Sequence, residues 1–460
     1  MNLAVHGLEG DIREANTFYQ DEHTLRGKCD RVMANPPFNV DMVDANRVKD
    51  DPRLPFGLPG VNKAGKVSNG NYLWISYFWS YLNPQGRAGF VMSSQASSAG
   101  HGEKDVRRKI VESGDVDVMI AIRSNFFYTR TVPCELWFFD RGRPKERRGK
   151  VLMLDARGVY RKVTRKIYDF SPEQLANLTA IVWLYRGQRD RFLGLVKEYL
   201  AAVCRECDAI PPAMTQFDTA TKAVTDVLDA FAKAVKGLDG IDAAQKQALT
   251  DTRGELAEAL GAYTGDRAEL LREIAAYAKT TCRNLPATND KQHAARQAFD
   301  PIAERVKGLL KQADLIFKLA ARTVDAAGTV AAAHEPAAEH LDRRGLSRLL
   351  KDLDAKRKDA VDQLKAAAYF HRQIAWLQDR FPDAELVPVP GLVKVVDTKE
   401  IESADWSLTP GRYVGVAPPE TDEDFDFEQA MRDIHVELAS LNDEAATLAK
   451  RIQENFEELV

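Results

Sequence analysis

Two consecutive prolines set directly behind an apolar run constrain this chain more than any other stretch. Asp30 introduces Val32, Met33 and Ala34, and Asn35-Pro36-Pro37-Phe38 follows at once. Each proline fixes φ and removes an N–H donor, so a strand built by the apolar run cannot continue as a ladder past Ala34. The chain must turn out there into a rigid, extended corner that presents the Asn35 amide and the Phe38 ring at the strand's carboxyl end. Open α/β sheets bind their ligands at that edge. The corner suits chemistry on a poorly nucleophilic exocyclic amine. Such an amine keeps its lone pair in the ring's π-system, and acceptors that draw its N–H bonds out of plane release that pair. The amide oxygen of Asn35 and the carbonyl of Pro36 are two acceptors, and Phe38 can stack on a base taken out of a duplex. A plain Asn-Pro turn after a strand is the other reading of the same residues.

Further along, the chain alternates short apolar runs with helical stretches. Ala88 to Met92, Val116 to Ile122 and Cys134 to Phe139 read as strands, and a charged helix from Glu103 to Glu112 separates the first two. Asn71 to about Leu82 reads as a helix whose aromatic face packs in a core. This alternation argues a doubly wound sheet with buried strands. Residues 39 to 71 are rich in Gly, Pro, Asp and Asn without periodicity, which predicts a long loop that closes on a base or on DNA. Gly100-His101-Gly102 lies between a strand and a helix, but a lone GxG is weak, and it reads as a mobile loop on the substrate side.

Taken in chain order, several pieces resemble the methylation (M) subunit of type I restriction-modification systems, within the S-adenosylmethionine-dependent N6-adenine DNA methyltransferases. They are Met1 to Gly7 with Gly10-Asp11-Ile12, Ala34 to Asn39, Gly86 to Val91, Phe126-Phe127-Tyr128 followed by Pro133, and Asp405 to Val414. The resemblance implies a Rossmann-like sheet and methyl transfer from S-adenosylmethionine to a flipped adenine. It implies that Asn35, Pro36, Pro37 and Phe38 form the catalytic corner, that Asp11 and Asn35 touch the cofactor, and that Phe38 and Phe127 hold the base from two sides. Among Phe126, Phe127 and Tyr128 the choice stays open on sequence alone. It also implies DNA, a specificity subunit, a restriction subunit and a second methylation subunit as partners. In relatives the glycine-rich cofactor loop lies upstream of the Asp11 position. The sheet is therefore expected to be incomplete at its N-terminal half, and the chain to bind little or no S-adenosylmethionine by itself. The second function kept in view is a catalytically incomplete scaffold or half-subunit that binds the specificity subunit. Protein or RNA methylation uses similar corners, but the Asp405 to Val414 segment and the tail speak against it.

A formal charge of −4 excludes a polycation, so DNA contact must come from local patches. Arg147 and Arg148 lie in one such cluster and are candidates for phosphate contact beside the site; a solvated surface is the alternative. The start of the chain does not read as a signal peptide and no apolar run reaches membrane length, so a cytoplasmic location is expected. Five cysteines agree with reduced thiols, and Cys204-Arg-Glu-Cys207 reads as two incidental thiols instead of half of a zinc site that would recruit Cys282 or His293. No metal is expected.

The chain divides on composition into a partial methyltransferase domain (1–168), a helical region (169–383), a proline-rich connector (384–420) with a possible short strand at Val393 to Val396, and a final helix (421–460). Ser171-Pro172-Glu173 reads as a helix start, and apolar residues then recur three and four apart. Breaks are expected at Pro211-Pro212, Gly237 to Gly240, Leu285-Pro286, Gly328 and Pro336. In the final helix Phe427, Met431, Ile434, Leu438, Leu441 and Ala445 step by four and three, a coiled-coil seam that requires a partner helix.

Overall fold

The computed structural model describes residues 2–127, 131–164 and 166–417, with single helical positions at 438, 445, 448, 449, 452 and 453. Residues up to Val414 form one compact unit and Gly415–Val460 a second. The first unit opens with the one-turn helix α1 (Asn2–Val5) and the strand β1 (Cys29–Ala34), which stops at the doubled proline. A small pair, β2 (Val43–Asp44) and β3 (Lys66–Val67), brackets the short helix α2 (Ala45–Val48). Then come helix α3 (Asn71–Tyr81), strand β4 (Leu82–Ser93), helix α4 (His101–Glu112) and strands β5 (Val116–Ile122), β6 (Cys134–Asp140) and β7 (Lys150–Asp155). The hairpin of β8 (Arg161–Lys162) and β9 (Tyr168–Asp169) leads to helix α5 (Pro172–Tyr185). Four long helices follow, α6 (Arg189–Lys236), α7 (Ala243–Tyr277), α8 (Asn289–Ala333) and, after the one-turn α9 (Glu335–Ala338), α10 (Arg343–Arg380). The chain returns as strand β10 (Val393–Asp397) and helix α11 (Thr398–Ser403).

Six strands make one sheet in the order β1-β4-β6-β5-β7-β10. β1 runs parallel to β4 and β5 to β7, while β6 and β10 run antiparallel to their neighbours. The sheet is thus mixed, and it gains one strand that the sequence pattern did not separate out, β7, while the possible strand at Val393 to Val396 is present as β10. Val151 to Leu154 sits in a basic surrounding that masks it. Successive residues of β5 and β7 face opposite cores, as the two-residue period of a strand requires. Val118, Leu152 and Leu154 pack towards Ile181 and Phe192 of α5 and α6. Met119, Val151 and Met153 pack towards Phe90, Trp137 and Ile110 on the other side. Covered on both faces, these strands show no polar alternation. β1 differs: its outer edge has no partner strand among the described residues, and Met33 there is 89% exposed.

Residues 39–71, expected as a structureless loop, instead carry β2, α2 and β3 around their own apolar cluster. Val43, Val48, Leu54 and Val67 pack there with Phe18 and Tyr77. The Gly100-His101-Gly102 turn, expected to be mobile, is packed as well. A β-carbon on Gly102 would lie 2.5 Å from the backbone nitrogen of Gly60, so two glycines let these loops touch backbone to backbone.

The helical region is an insertion between β7 and β10. Gly237 to Gly240 and Pro286 separate helices as expected. Pro211-Pro212 and Gly328 do not: they lie inside α6 and α8. Two prolines remove intrahelical bonds, yet Ile210, Met214 and Phe217 on either side are fully buried, and that packing outweighs the local preference. Cys204 is joined to Cys282 in a disulfide between α6 and the turn after α7, and Cys207 stays a buried thiol, so the expectation of free thiols fails at this pair. No group of three or more His, Cys, Asp or Glu suited to a metal ion occurs among the described residues. No described helix is long and apolar enough to cross a membrane. Of the final helix, Leu438, Leu448 and Ile452 are described and exposed; Phe427, Met431, Ile434 and Leu441 lie outside the described residues.

Candidate functional site at the carboxyl edge of the sheet

Asn35 and Pro37 are exposed, Pro36 is buried, and Phe38 is half-buried at the carboxyl end of β1. Phe38 rests against the core that holds Phe90 and Trp137, so one side of its ring is supported while the residue keeps access to solvent. The corner is held by asparagines that the sequence pattern did not single out. The Asn39 N–H donates to the side-chain oxygen of buried Asn71 (2.8 Å), and the Asn71 amide donates back to the Asn39 side-chain oxygen (2.9 Å). Asn69 donates to the same oxygen (3.1 Å), and the Gly70 N–H donates to the Val40 carbonyl (2.7 Å). Asn39 sits at φ +54°, a left-handed conformation that asparagine tolerates better than most residues. This clamp fixes the direction in which the four corner residues leave the sheet.

The next loop along the edge, after β4, is clamped from the far end of the sequence. The Leu408 N–H donates to the Ser97 carbonyl (2.8 Å), and the Ser97 and Thr409 hydroxyls are 2.7 Å apart. Buried Arg107 of α4 donates to the carbonyls of Trp406 (2.6 Å) and Ala99 (2.7 Å), and Lys104 pairs with Asp405. The segment from Asp405 to Val414 is therefore a strap across the carboxyl edge.

Beneath it lies Glu135, the second residue of β6, 1% exposed, whose carboxyl accepts from the Ser97 hydroxyl (3.0 Å). Burial pushes this carboxyl up to about 8, against the pull of that hydrogen bond. The signal that could have found it is a lone acid inside the apolar run Cys134 to Phe139. Because the folded-state value is raised, the folded chain holds a proton that the unfolded chain releases. The stability that proton confers is complete below the ordinary glutamate value and is lost as pH rises towards about 8. Thermal denaturation between pH 5 and 8 should show stability falling by up to about 1.4 kcal/mol per pH unit from this group, and Glu135→Gln should flatten that slope. An unchanged slope in the variant would refute the assignment.

The loop after β5 brings aromatics to the same edge. Phe126 is paired with Phe170 at 4.4 Å, whereas Phe127 is half-buried and has no ring partner among the described residues; Tyr128 lies outside the described residues. Arg123 lies between the rings of Tyr160 (3.9 Å) and Tyr168 (3.8 Å), which ties this loop to the β8–β9 hairpin.

Two sets of expected site residues lie elsewhere. Asp11 is exposed and pairs with Arg13 (3.0 Å) and His23 (3.4 Å), and this keeps its carboxyl below the usual range. Arg13 and His23 line one cavity with Cys29, the first residue of β1. A six-residue strand, about 20 Å long, separates that end from Asn35. Arg147 and Arg148 sit in the turn between β6 and β7, at the sheet's opposite, amino edge. Arg147 bonds to fully buried Asp117 (3.2 Å), together with Arg143 (3.5 Å) and Arg186 (2.8 Å), while Arg148 is exposed.

Residues 1–198 match the profile of a family described as N-6 DNA Methylase. The methylase subunit of the type I restriction enzyme MjaIX from Methanocaldococcus jannaschii is 41% identical over 194 residues, which cover 41% of this chain and 34% of that subunit. The HindI methylase subunit from Haemophilus influenzae is 30% identical over 181 residues, 39% of each chain. A solved type I restriction-modification methyltransferase subunit from Streptococcus thermophilus aligns at 21% identity and TM-score 0.35 over 39% of this chain and 37% of its own. The chain thus spans little more than a third of the length of the curated relatives it matches. With an Asn-Pro-Pro-Phe corner at the carboxyl end of a β-strand, residues 1–198 of this chain are similar to the N-6 DNA methylase family and to type I restriction enzyme methylase subunits.

Proposed function

We propose that this chain is the adenine-holding part of a modification subunit that methylates DNA adenine at N6 within a type I restriction-modification complex. The observation that supports this best is the corner itself: an exposed amide and a half-buried aromatic ring, held by the Asn39, Asn69 and Asn71 clamp at the edge where such sheets bind ligands. In this reading the Asn35 side-chain oxygen and the Pro36 carbonyl accept the two N–H bonds of the adenine amine. Phe38 stacks on one face of the base and Phe127 closes the other. Duplex DNA, a specificity subunit, a restriction subunit and a second methylation subunit are the proposed partners, and the apolar seam of the final helix is the proposed contact with the specificity subunit.

S-adenosylmethionine is the donor proposed for this family. The residues described do not fit it alone, because Asp11 is engaged by Arg13 and His23 at the wrong end of β1. The bare outer edge of β1 favours a second reading, in which this chain is a half-subunit and the donor is held by strands added beside Met33. Calorimetric titration of S-adenosylmethionine into the chain separates the two, with little or no binding expected. A micromolar constant would overturn the half-site reading. Label from tritiated donor should appear at adenine N6 of duplex DNA when the full complex is assembled; label at cytosine, or on protein only, would overturn the proposed function.

A further inference from the structure

The four long helices form an antiparallel bundle that leaves the sheet from the edge that carries Asn35. α5 starts beside the carboxyl-edge loops and ends at the amino edge, where the Tyr185 hydroxyl donates to the Lys150 carbonyl (3.1 Å). α6 then runs back along it, and its Tyr199 hydroxyl reaches Glu173 (3.2 Å) and Asn177 (3.0 Å) at the start of α5. From Leu200 to Lys236 the helix continues past the sheet for about 55 Å. At the far end the His334 ring bonds to the Asp239 carbonyl (3.0 Å); at the near end the Tyr369 hydroxyl of α10 bonds to Glu173 (2.8 Å). Residues 343–368 of α10 therefore all lie on the projecting arm.

Charge is unevenly spread over this arm. α10 has ten Lys and Arg against five Asp and Glu, whereas α7 has four against six, in a chain whose net charge is −4. The excess on α10 lies along one line. Arg344, Arg348, Lys351, Lys358 and Lys365 follow one another at helical spacings of three, four and seven, all exposed and turned away from the faces packed on α6 and α8. Arg344, Arg348, Lys351 and Lys365 have no carboxylate partner among the described residues; Lys358 pairs with Asp354 (2.8 Å). Asp362 is the one acid in the line. The neighbouring α8 adds exposed Lys311 and Lys318, also without a carboxylate partner. Structural pairing does not account for these cations. They hold no buried acid, and they repel one another along about 32 Å of helix, the rise of about nine base pairs of B-form DNA.

We infer that the outward face of α8 and α10 is a docking surface for the phosphate backbone of duplex DNA, where it holds the flank of the site whose adenine enters the corner at Asn35. The inference rests on the reading that the chain acts on DNA. It assigns the inserted bundle a job in affinity and register, not in base readout.

Fluorescence anisotropy of the full chain with a labelled duplex, over a range of salt, tests it. The triple variant Arg344→Glu, Arg348→Glu, Lys351→Glu should bind at least about tenfold more weakly at low salt and reduce the slope of log affinity against log salt by about three. Its helix content and melting should match the unaltered chain, because none of the three side chains has a carboxylate partner among the described residues to lose. Asp362→Lys should tighten binding, a gain that no structural role predicts. If the unaltered chain shows no salt-dependent duplex binding, the DNA reading and this inference fall together. If it binds, and the triple variant keeps its affinity and slope, the inference alone falls; that is also the result expected if the stripe serves a protein partner.

Discussion

Asn35→Ala is expected to abolish methyl transfer by the assembled enzyme while leaving its assembly and DNA affinity unchanged. The substitution removes the one side-chain acceptor at the corner, and the two prolines and the Asn39 clamp keep the backbone in place. Asn35 is exposed and its side chain makes no hydrogen bond among the described residues, so no described part of the fold depends on its amide. The loss therefore belongs to the chemical step, where the amine must be drawn out of conjugation before its lone pair can attack. Removing one preorganised hydrogen-bonding group from a transition state costs about 10²–10³ in turnover, and a larger loss is reasonable where only two acceptors serve the amine. The check is a turnover assay beside a duplex-binding isotherm. Retained turnover would sink the role given to Asn35, and lost affinity with retained turnover would move it to ground-state binding.

The second large effect is on stability. Asp117 is fully buried in β5, and its two oxygens hold Arg143, Arg147 and Arg186. Arg143 is itself 1% exposed at its side chain and donates to the carbonyls of Val116 and Lys150 (2.9 Å each), and the Arg147 guanidinium lies 5.4 Å from the Tyr185 ring centre. This hub ties β5 to the β6–β7 turn and to the end of α5. Asp117→Ala leaves buried guanidinium groups uncompensated, which costs about 3–5 kcal/mol. Urea denaturation should show the midpoint falling accordingly; a shift under about 1 kcal/mol would show that the arginines find water or other acceptors instead. The hub also sets how DNA contact by this turn can be tested. Arg147→Glu would place two carboxylates together and unsettle the fold, whereas Arg148→Glu changes an exposed side chain alone.

Several parts of this protein were legible without coordinates. The doubled proline announced the end of β1 and the exposure of Asn35, because proline acts on its own residue and the one before it. Ser171-Pro172-Glu173 announced α5, and the structure adds a complete capping box through Gln174 there. The aromatic run from Asn71 announced α3, and the three-and-four spacing announced the long helices, although not that Pro211-Pro212 would be carried through one of them.

What stayed hidden joins residues far apart in the chain. Ser97 meets Thr409, Arg107 meets Trp406, and β10 pairs with β7 across the whole inserted bundle. None of these leaves a mark within a few residues of either partner. The sequence by itself determined where β1 stops and where α3 and α5 begin, because φ restriction, capping and apolar period act locally. Only the tertiary structure decided which loops share the carboxyl edge, that Asp11 stands away from it, and that the basic line on α10 projects beyond it, because those follow from strand order and burial, which no short stretch encodes.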